Sequence, residues 1–199
     1  MDNVVIRKGR LEDDEHFSEL VLFAVPEFLP YAFGSNAKNV VKNLFQNKGN
    51  WFSFEHTYFV EVGGEIAGMA LGYSYRQRKE EETRVVELGA KYLEESSFTE
   101  LPDPRIAEIT EKIEESEYYF FYLAVYPRFR RLGLGTKLFE VIEEEARRAG
   151  CKRVVLDVET DNTNGIKLFR SLGYSIVNKS PIVETSVKNF EFFKMSKDV

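Results

Sequence analysis

The alternation of apolar and polar positions divides the chain into short strands and amphipathic helices. Val4, Val5 and Ile6 open it with a first strand. Gly9 and the acidic run from Glu12 to Glu15 lead into a helix, because negative charge is favoured in a first turn. Phe17, Leu20, Val21 and Ala24 fall on one face of that helix, and Pro26 stops it. Residues 26–34 hold two prolines with Phe28, Tyr31 and Phe33 and read as an aromatic loop. Ser35 or Asn36 is placed to cap a second helix carrying Val40, Val41, Leu44 and Phe45. Two strands, over 57–62 and 66–73, flank Gly63-Gly64 as a tight hairpin.

Residues 76–117 change character, with 13 acidic and 7 basic side chains, so the rest of the chain sums to zero charge. Two amphipathic helices fit this insertion. One runs over Val85, Leu88, Tyr92 and Leu93; the other starts at Asp103-Pro104 and buries Ile106, Ile109 and Ile113. Residues 118–125 are eight apolar or aromatic residues in a row, the pattern of a central strand with helices on both faces. A helix over about 135–149 follows, with Leu138, Val141, Ile142 and Ala146 inward and Gly150 at its end. A strand (154–158), a short helix (162–172) and two strands (174–178 and 187–195) complete the chain. The pattern predicts one α/β domain over residues 1–199: a mixed, twisted sheet of about seven strands, helices on both faces, and an acidic helical insertion.

Composition narrows the function. Hydrophobic residues make up 43% of the 199, enough for a full core. A single cysteine, Cys151, excludes a disulfide scaffold, and His16 and His56 lie far apart without ligand spacing, so no metal site is expected. A net charge of −6 argues against nucleic acid as partner. No apolar run approaches the roughly 20 residues of a membrane span, so a soluble, cytoplasmic protein is expected.

The chemistry concentrates in Val125-Tyr126-Pro127-Arg128-Phe129-Arg130-Arg131-Leu132-Gly133-Leu134-Gly135-Thr136. Here a buried strand runs through a glycine-bearing loop directly into a helix. The free N–H groups of a first helical turn favour an anion by about 0.3–1 kcal/mol per charge. Arg130 and Arg131 add positive charge there, and the segment reads as a diphosphate cradle. A dinucleotide loop would need a third glycine where Leu138 stands, although Asp157 lies at a suitable distance for a ribose contact. A P-loop would need Lys before Thr, and here Thr136 precedes Lys137.

The segment resembles the GNAT superfamily of acyl-CoA N-acyltransferases. Its signature [QR]-x-x-G-x-[GA] is matched by Arg130, Gly133 and Gly135, with Leu123-Ala124-Val125 and Pro127 as the lead-in. A second family element is an asparagine followed about eleven residues later by a glycine–aromatic pair. Asn162 and Gly173-Tyr174 match it. The resemblance implies that acetyl-CoA is the co-substrate. Pantetheine would lie against the backbone of Leu123, Ala124 and Val125. The pyrophosphate would rest on the N–H groups of Arg131, Leu132, Gly133, Leu134, Gly135 and Thr136, near Arg130. Asn162 and Phe169 would line the far side of the arm.

It also implies direct attack of an amine on the thioester, with a main-chain N–H of the 123–125 segment facing the oxyanion. The family's usual acid, a tyrosine, is replaced here by Phe169, leaving Tyr174 or Tyr122 to act through water. The glutamate that some relatives carry on the central strand is replaced by Tyr119. Glu117, two residues earlier and on the same strand face, is the nearest carboxylate. The catalytic candidates are therefore Glu117, Tyr119 and Tyr174. The expected acceptor is a small-molecule or peptide amine, with the aromatic loop and the segment 50–54 nearby; aromatic walls beside an acidic flap suit a cation. A binding module that holds acyl-CoA without turnover is the alternative, and a homodimer is the default assembly.

Overall fold

The structure, a computed structural model, describes residues 3–95 and 112–199. Strand β1 (Val4–Lys8) is followed by helices α1 (Asp14–Ala24), α2 (Phe28–Phe33) and α3 (Ala37–Gln46). The hairpin β2 (Thr57–Val62) and β3 (Glu65–Ser74) leads into α4 (Tyr75–Glu95). Strand β4 (Glu117–Val125) then runs through the loop to α5 (Leu134–Arg148), β5 (Arg153–Glu159) and α6 (Thr163–Ser171). The chain ends with β6 (Ser175–Lys179), β7 (Val183–Glu184), β8 (Asn189–Phe190) and β9 (Phe192–Asp198). Seven strands form one sheet in the order β1-β2-β3-β4-β5-β9-β6, and β7 pairs only with β8. All sheet pairings are antiparallel except that of β4 with β5.

Each sheet face is covered by helices. On one face Phe17, Leu20 and Val21 of α1, Val40, Val41, Leu44 and Phe45 of α3, and Val85 and Leu88 of α4 bury Phe59, Met69 and Leu71. On the other, Leu138, Phe139, Ile142 and Ala146 of α5 pack on Val60, Ala70, Val154, Leu156 and Met195. The predicted one-sided helical stripes are the buried stripes. Gly63 and Gly64 make the β2–β3 turn at φ of 61° and 88°, the left-handed conformation a two-residue hairpin requires.

Strand β4 carries an irregularity that shapes the site. Leu71 faces Tyr122 and the next residue, Gly72, faces Phe120, so Phe121 is the extra residue of a β-bulge. The bulge resets the alternation: Tyr118, Phe120, Leu123 and Val125 face α5, while Tyr122 and Ala124 face α1. As a consequence the rings of Phe121 and Tyr122 stack at 4.0 Å although the residues are consecutive.

The structure corrects three expectations. Residues 28–33 form a short helix instead of a loop: Pro30 sits in its first turn, where no N–H is missed, and Leu29 and Ala32 are buried. The strand expected over 187–195 is broken at Glu191, because β8 pairs with β7 while β9 enters the main sheet. Neither Ser35 nor Asn36 caps α3 with its side chain; Asn36 Oδ1 instead accepts from Asn39 Nδ2 at 2.6 Å. The first helix of the acidic insertion is α4, fixed to the body by His56 Nε2 against the Glu81 carboxylate at 2.9 and 3.0 Å. The helix expected from Asp103 lies outside the described residues, although Ile113 packs against Tyr73, Tyr119 and Val155.

Candidate active site

The parallel pair β4 and β5 is hydrogen-bonded only at its start, where Glu117, Tyr118 and Tyr119 face Arg153, Val154 and Val155. Beyond these residues the ladder between the two strands ends, and a cavity of about 710 Å³ opens between the end of β4 and the start of α6. Leu123, Ala124 and Val125 form one wall, Asn162, Gly165 and Leu168 the other, and the loop to α5 closes one end. A strand edge exposed in this way offers main-chain donors and acceptors to an extended ligand.

The loop combines unusual backbone angles with two arginines. Arg131 has φ of 64°, the one positive value for a residue other than glycine among the described residues. Such a conformation is stored strain. Gly133, at φ of 74°, is the N-cap of α5, and its carbonyl receives the Lys137 N–H at 3.2 Å. Arg130 folds back, its Nε donating to the Val125 carbonyl at 3.2 Å, which ties the loop to the end of β4. A Cβ on Gly135 would meet only Leu168 Cδ2 at 3.8 Å and Leu123 Cδ2 at 3.9 Å, ordinary contact distances. Protein packing therefore leaves room for a residue as small as alanine there, in keeping with the last position of the family signature. Leu134 is buried under the helix, whereas Leu132 is 57% exposed outside the cavity. Asn162 is the N-cap of α6, its Oδ1 accepting the Gly165 N–H at 2.9 Å.

A profile described as the Acetyltransferase (GNAT) family matches residues 40–174. The chain belongs to that family. It is 28% identical over 64 residues to the uncharacterised N-acetyltransferase YdgE of Bacillus subtilis, covering 32% of this chain and 41% of that protein. It is 37% identical over 59 residues to the L-methionine sulfoximine/L-methionine sulfone acetyltransferase of Salmonella typhimurium, covering 30% and 34% of the two. The matches thus span less than half the length of these relatives. A crystal structure of an acetyltransferase superposes with a TM-score of 0.72 at 24% identity, over 98% of this chain and 99% of that one. That likeness establishes the shared GNAT fold. Members of the family use acetyl-CoA.

In this GNAT domain the cavity continues past Leu123 and Asn162 into a second space of about 340 Å³, where Phe169 joins the wall. Its far end carries Glu27, Asp157, Glu159 and Lys188. Lys188 Nζ lies 2.8 Å from Glu27, also pairs with Glu159, and is 3.5 Å from Asp161. It thereby straps the β7–β8 hairpin across the cavity mouth. Phe28 and Tyr31 of α2 pack on Phe190 beneath the strap. Phe28 thus belongs to the site, whereas Phe33 is turned inward against Phe52.

The three catalytic candidates occupy different surroundings. Tyr119 lines a small adjoining space of about 50 Å³ that it shares with Asp157, its hydroxyl donating to Asp157 Oδ2 at 2.8 Å. Glu117 is 4% exposed; its carboxylate accepts the Glu114 N–H at 2.9 Å and lies 3.3 Å from Lys194 and 3.5 Å from Arg153. Tyr174 is 2% exposed on the α5 side, with its hydroxyl 3.3 Å from Glu143. Burial, then the Glu143 charge, pushes the Tyr174 phenol far above its ordinary range. Burial likewise raises the Cys151 thiol. Asp157 is the site residue that sequence reading had weighed only as a ribose contact. Its polar side chain inside an otherwise apolar strand was the available signal.

Proposed function

We propose that this chain transfers an acetyl group from acetyl-CoA to a primary amine. The observation that carries this reading is the divergence of β4 from β5 beside the glycine-bearing loop into α5. It creates a groove with a free strand edge along one wall and main-chain N–H groups at one end. In this reading the pantetheine arm pairs with the edge at Leu123, Ala124 and Val125. The pyrophosphate rests on the N–H groups from Arg131 to Thr136, with Leu132 contributing backbone only. Asn162 and Phe169 bound the arm on the other side, and bound acetyl-CoA supplies the thioester. A main-chain N–H of the 123–125 edge faces the carbonyl oxygen as charge develops on it. Tyr119 serves at the acceptor end, while the ion-paired Glu117 and the buried Tyr174 are assigned to holding the fold. The acceptor is a small-molecule or peptide amine. Titration with acetyl-CoA, then thiol release against polyamines, amino acids, aminoglycosides and peptides, tests the reading. Lack of acetyl-CoA binding refutes it.

Phe169 favours one second reading, a domain that binds acyl-CoA without turnover. Its ring lines the groove and rests edge-on against Phe139 at 5.5 Å, with no hydroxyl to protonate a leaving thiolate. Acetyl-CoA binding without thiol release across the panel selects this reading.

A further inference from the structure

We propose that Asp157, positioned by Tyr119, binds the acceptor as its ammonium and takes the proton that frees the nitrogen to attack. The proposal rests on the acetyltransferase reading and assigns the acceptor class: a primary alkyl amine presented on an unbranched end.

Three cavities converge on Asp157. One is the groove extension that also holds Asn162 and Phe169. The second, of about 50 Å³, is lined by Val25 and five aromatic residues: Phe28, Tyr119, Phe121, Tyr122 and Phe192. The third, of about 70 Å³, approaches from the opposite side past Lys112, Asn178, Ser180 and Lys194. The bulge in β4 is what makes the second cavity, because it places Tyr119, Phe121 and Tyr122 together around the carboxylate. A space of this size accepts an aminomethyl group and little else. Ring faces beside one carboxylate attract an ammonium by charge and by cation–π contact.

The same surroundings discharge it. An ammonium–carboxylate pair taken out of water becomes neutral by moving its proton from nitrogen to oxygen, since burial penalises both charges. Among the described residues, the charged groups lining these cavities with Asp157 are Glu159 on β5, Lys194 on β9, Lys112 before β4, and Glu27 with Lys188 at the strap. Lys188 is engaged by Glu27 and Glu159, and Lys194 by Glu117, so both cations are partly neutralised. The step balances as follows. The ammonium gives one proton to Asp157, and the freed lone pair forms the C–N bond at the thioester carbonyl. The C–S bond breaks, and the nitrogen's second proton goes to the departing sulfur. Asp157 returns its proton to water through the cavity past Asn178 and Ser180.

Methylamine fits the small cavity and is the probe. Wild-type protein, D157N and Y119F are titrated with acetyl-CoA, and thiol release with methylamine is followed from pH 7 to 10. We expect unchanged acetyl-CoA affinity in all three. For D157N we expect a kcat/KM loss of about 100-fold near neutral pH. That deficit should shrink below about tenfold as the pH nears the ordinary amine pKa of about 10.4, where the amine is already neutral. Y119F should lose about tenfold in kcat with the same pH trend. A D157N deficit that does not change with pH means that Asp157 only shapes the pocket, and overturns the proposal. So do wild-type rates in D157N, or acetyl-CoA binding without methylamine turnover in the wild type. Failure of the wild type to bind acetyl-CoA removes the acetyltransferase reading, and this assignment with it.

Discussion

Replacing Gly135 by alanine should stabilise the protein and keep its hold on acetyl-CoA, whereas glutamate at the same position should abolish that hold. Gly135 is the second residue of α5, and its φ is not positive, so alanine adopts its backbone without strain. Glycine within a helix is less stable than alanine by roughly 0.5–1 kcal/mol. The new methyl would touch Leu168 and Leu123 at 3.8 and 3.9 Å, with no overlap. A gain of that size raises the Tm by roughly 1–4 °C in a chain of this length. The same methyl stands over the N–H groups of the first turn, because Cβ atoms tilt towards the helix N-terminus. That methyl leaves a phosphate oxygen its approach, as the alanine admitted at this position of the family signature implies, so Gly135→Ala should keep its affinity. Gly135→Glu instead puts a carboxylate where the pyrophosphate rests, and losing even one charge-assisted hydrogen bond worth about 1.5–3 kcal/mol raises the Kd roughly 10- to 150-fold. Gly133→Ala is the contrasting variant: its Cβ meets nothing within 4 Å, but φ of 74° makes alanine cost about 1–2 kcal/mol. Thermal unfolding and calorimetric titration read both quantities. Unchanged affinity in Gly135→Glu would refute the placement of the pyrophosphate, and a lowered Tm in Gly135→Ala would mean that protein packing selects the glycine.

Three further outcomes follow from the structure. Burial raises the Asp13 pKa, but hydrogen bonds from Arg7 and from the Arg10 N–H more than offset this, leaving it below 3.8. The stabilisation is present above pH 3.8 and lost as pH falls through the folded value, so Asp13→Asn should cost about 1.5–3 kcal/mol near pH 7. Urea unfolding should show that gap closing below about pH 3.8. Lys197→Met removes the Nζ that contacts the Glu143 carboxylate at 2.7 and 2.9 Å, leaving it the Tyr174 hydroxyl at 3.3 Å and Arg147 at 3.7 Å, and should cost about 1.5–3 kcal/mol. Adding Glu143→Gln should restore most of it in the same urea assay, since the amide keeps a partner for the buried Tyr174 hydroxyl without an uncompensated charge. Phe169→Tyr places a hydroxyl in the groove wall and should leave thiol release unchanged or faster. A large rate loss with intact acetyl-CoA binding would show that the phenyl ring itself shapes the thiol pocket.

What the sequence revealed of the fold depended on how locally each element is determined. The β2–β3 hairpin was legible because Gly63-Gly64 permits the turn and the flanking strands are long. Helix α5 was legible because its apolar stripe, its basic last turn and Gly150 agree. Helix α2 was not, since Pro26 and Pro30 signal a break. What holds it is tertiary: Leu29 and Ala32 are buried, and Phe28 and Tyr31 rest on a hairpin more than 150 residues away. The break at Glu191 was hidden for a related reason. Phe190 and Phe192 continue one alternation and stack with rings at 5°, yet the first belongs to β8 and the second to β9. Side-chain pattern does not show which backbone pairs with which.

The two ends of the groove differ in the same way. In the proposed reading the phosphate end is made by main chain, so its requirements appear as glycines at fixed spacing, readable from residues 130–136 alone. The proposed acceptor end is made by side chains from the α1–α2 junction, β4, β5 and β9, brought together by one extra residue in β4. Nothing in the run of aromatic residues from Tyr118 to Tyr122 marks Phe121 as that residue. Without the bulge, strict alternation would put Tyr122 on the α5 face, away from Tyr119 and Asp157. Glu117 was therefore a reasonable carboxylate to choose by face, but pairing at the start of β4 commits it to Lys194 and Arg153. Asp157, four residues along β5 from Arg153, stands where the strands have already parted. The parting of the strands, more than residue type, decides which of the two carboxylates faces the groove.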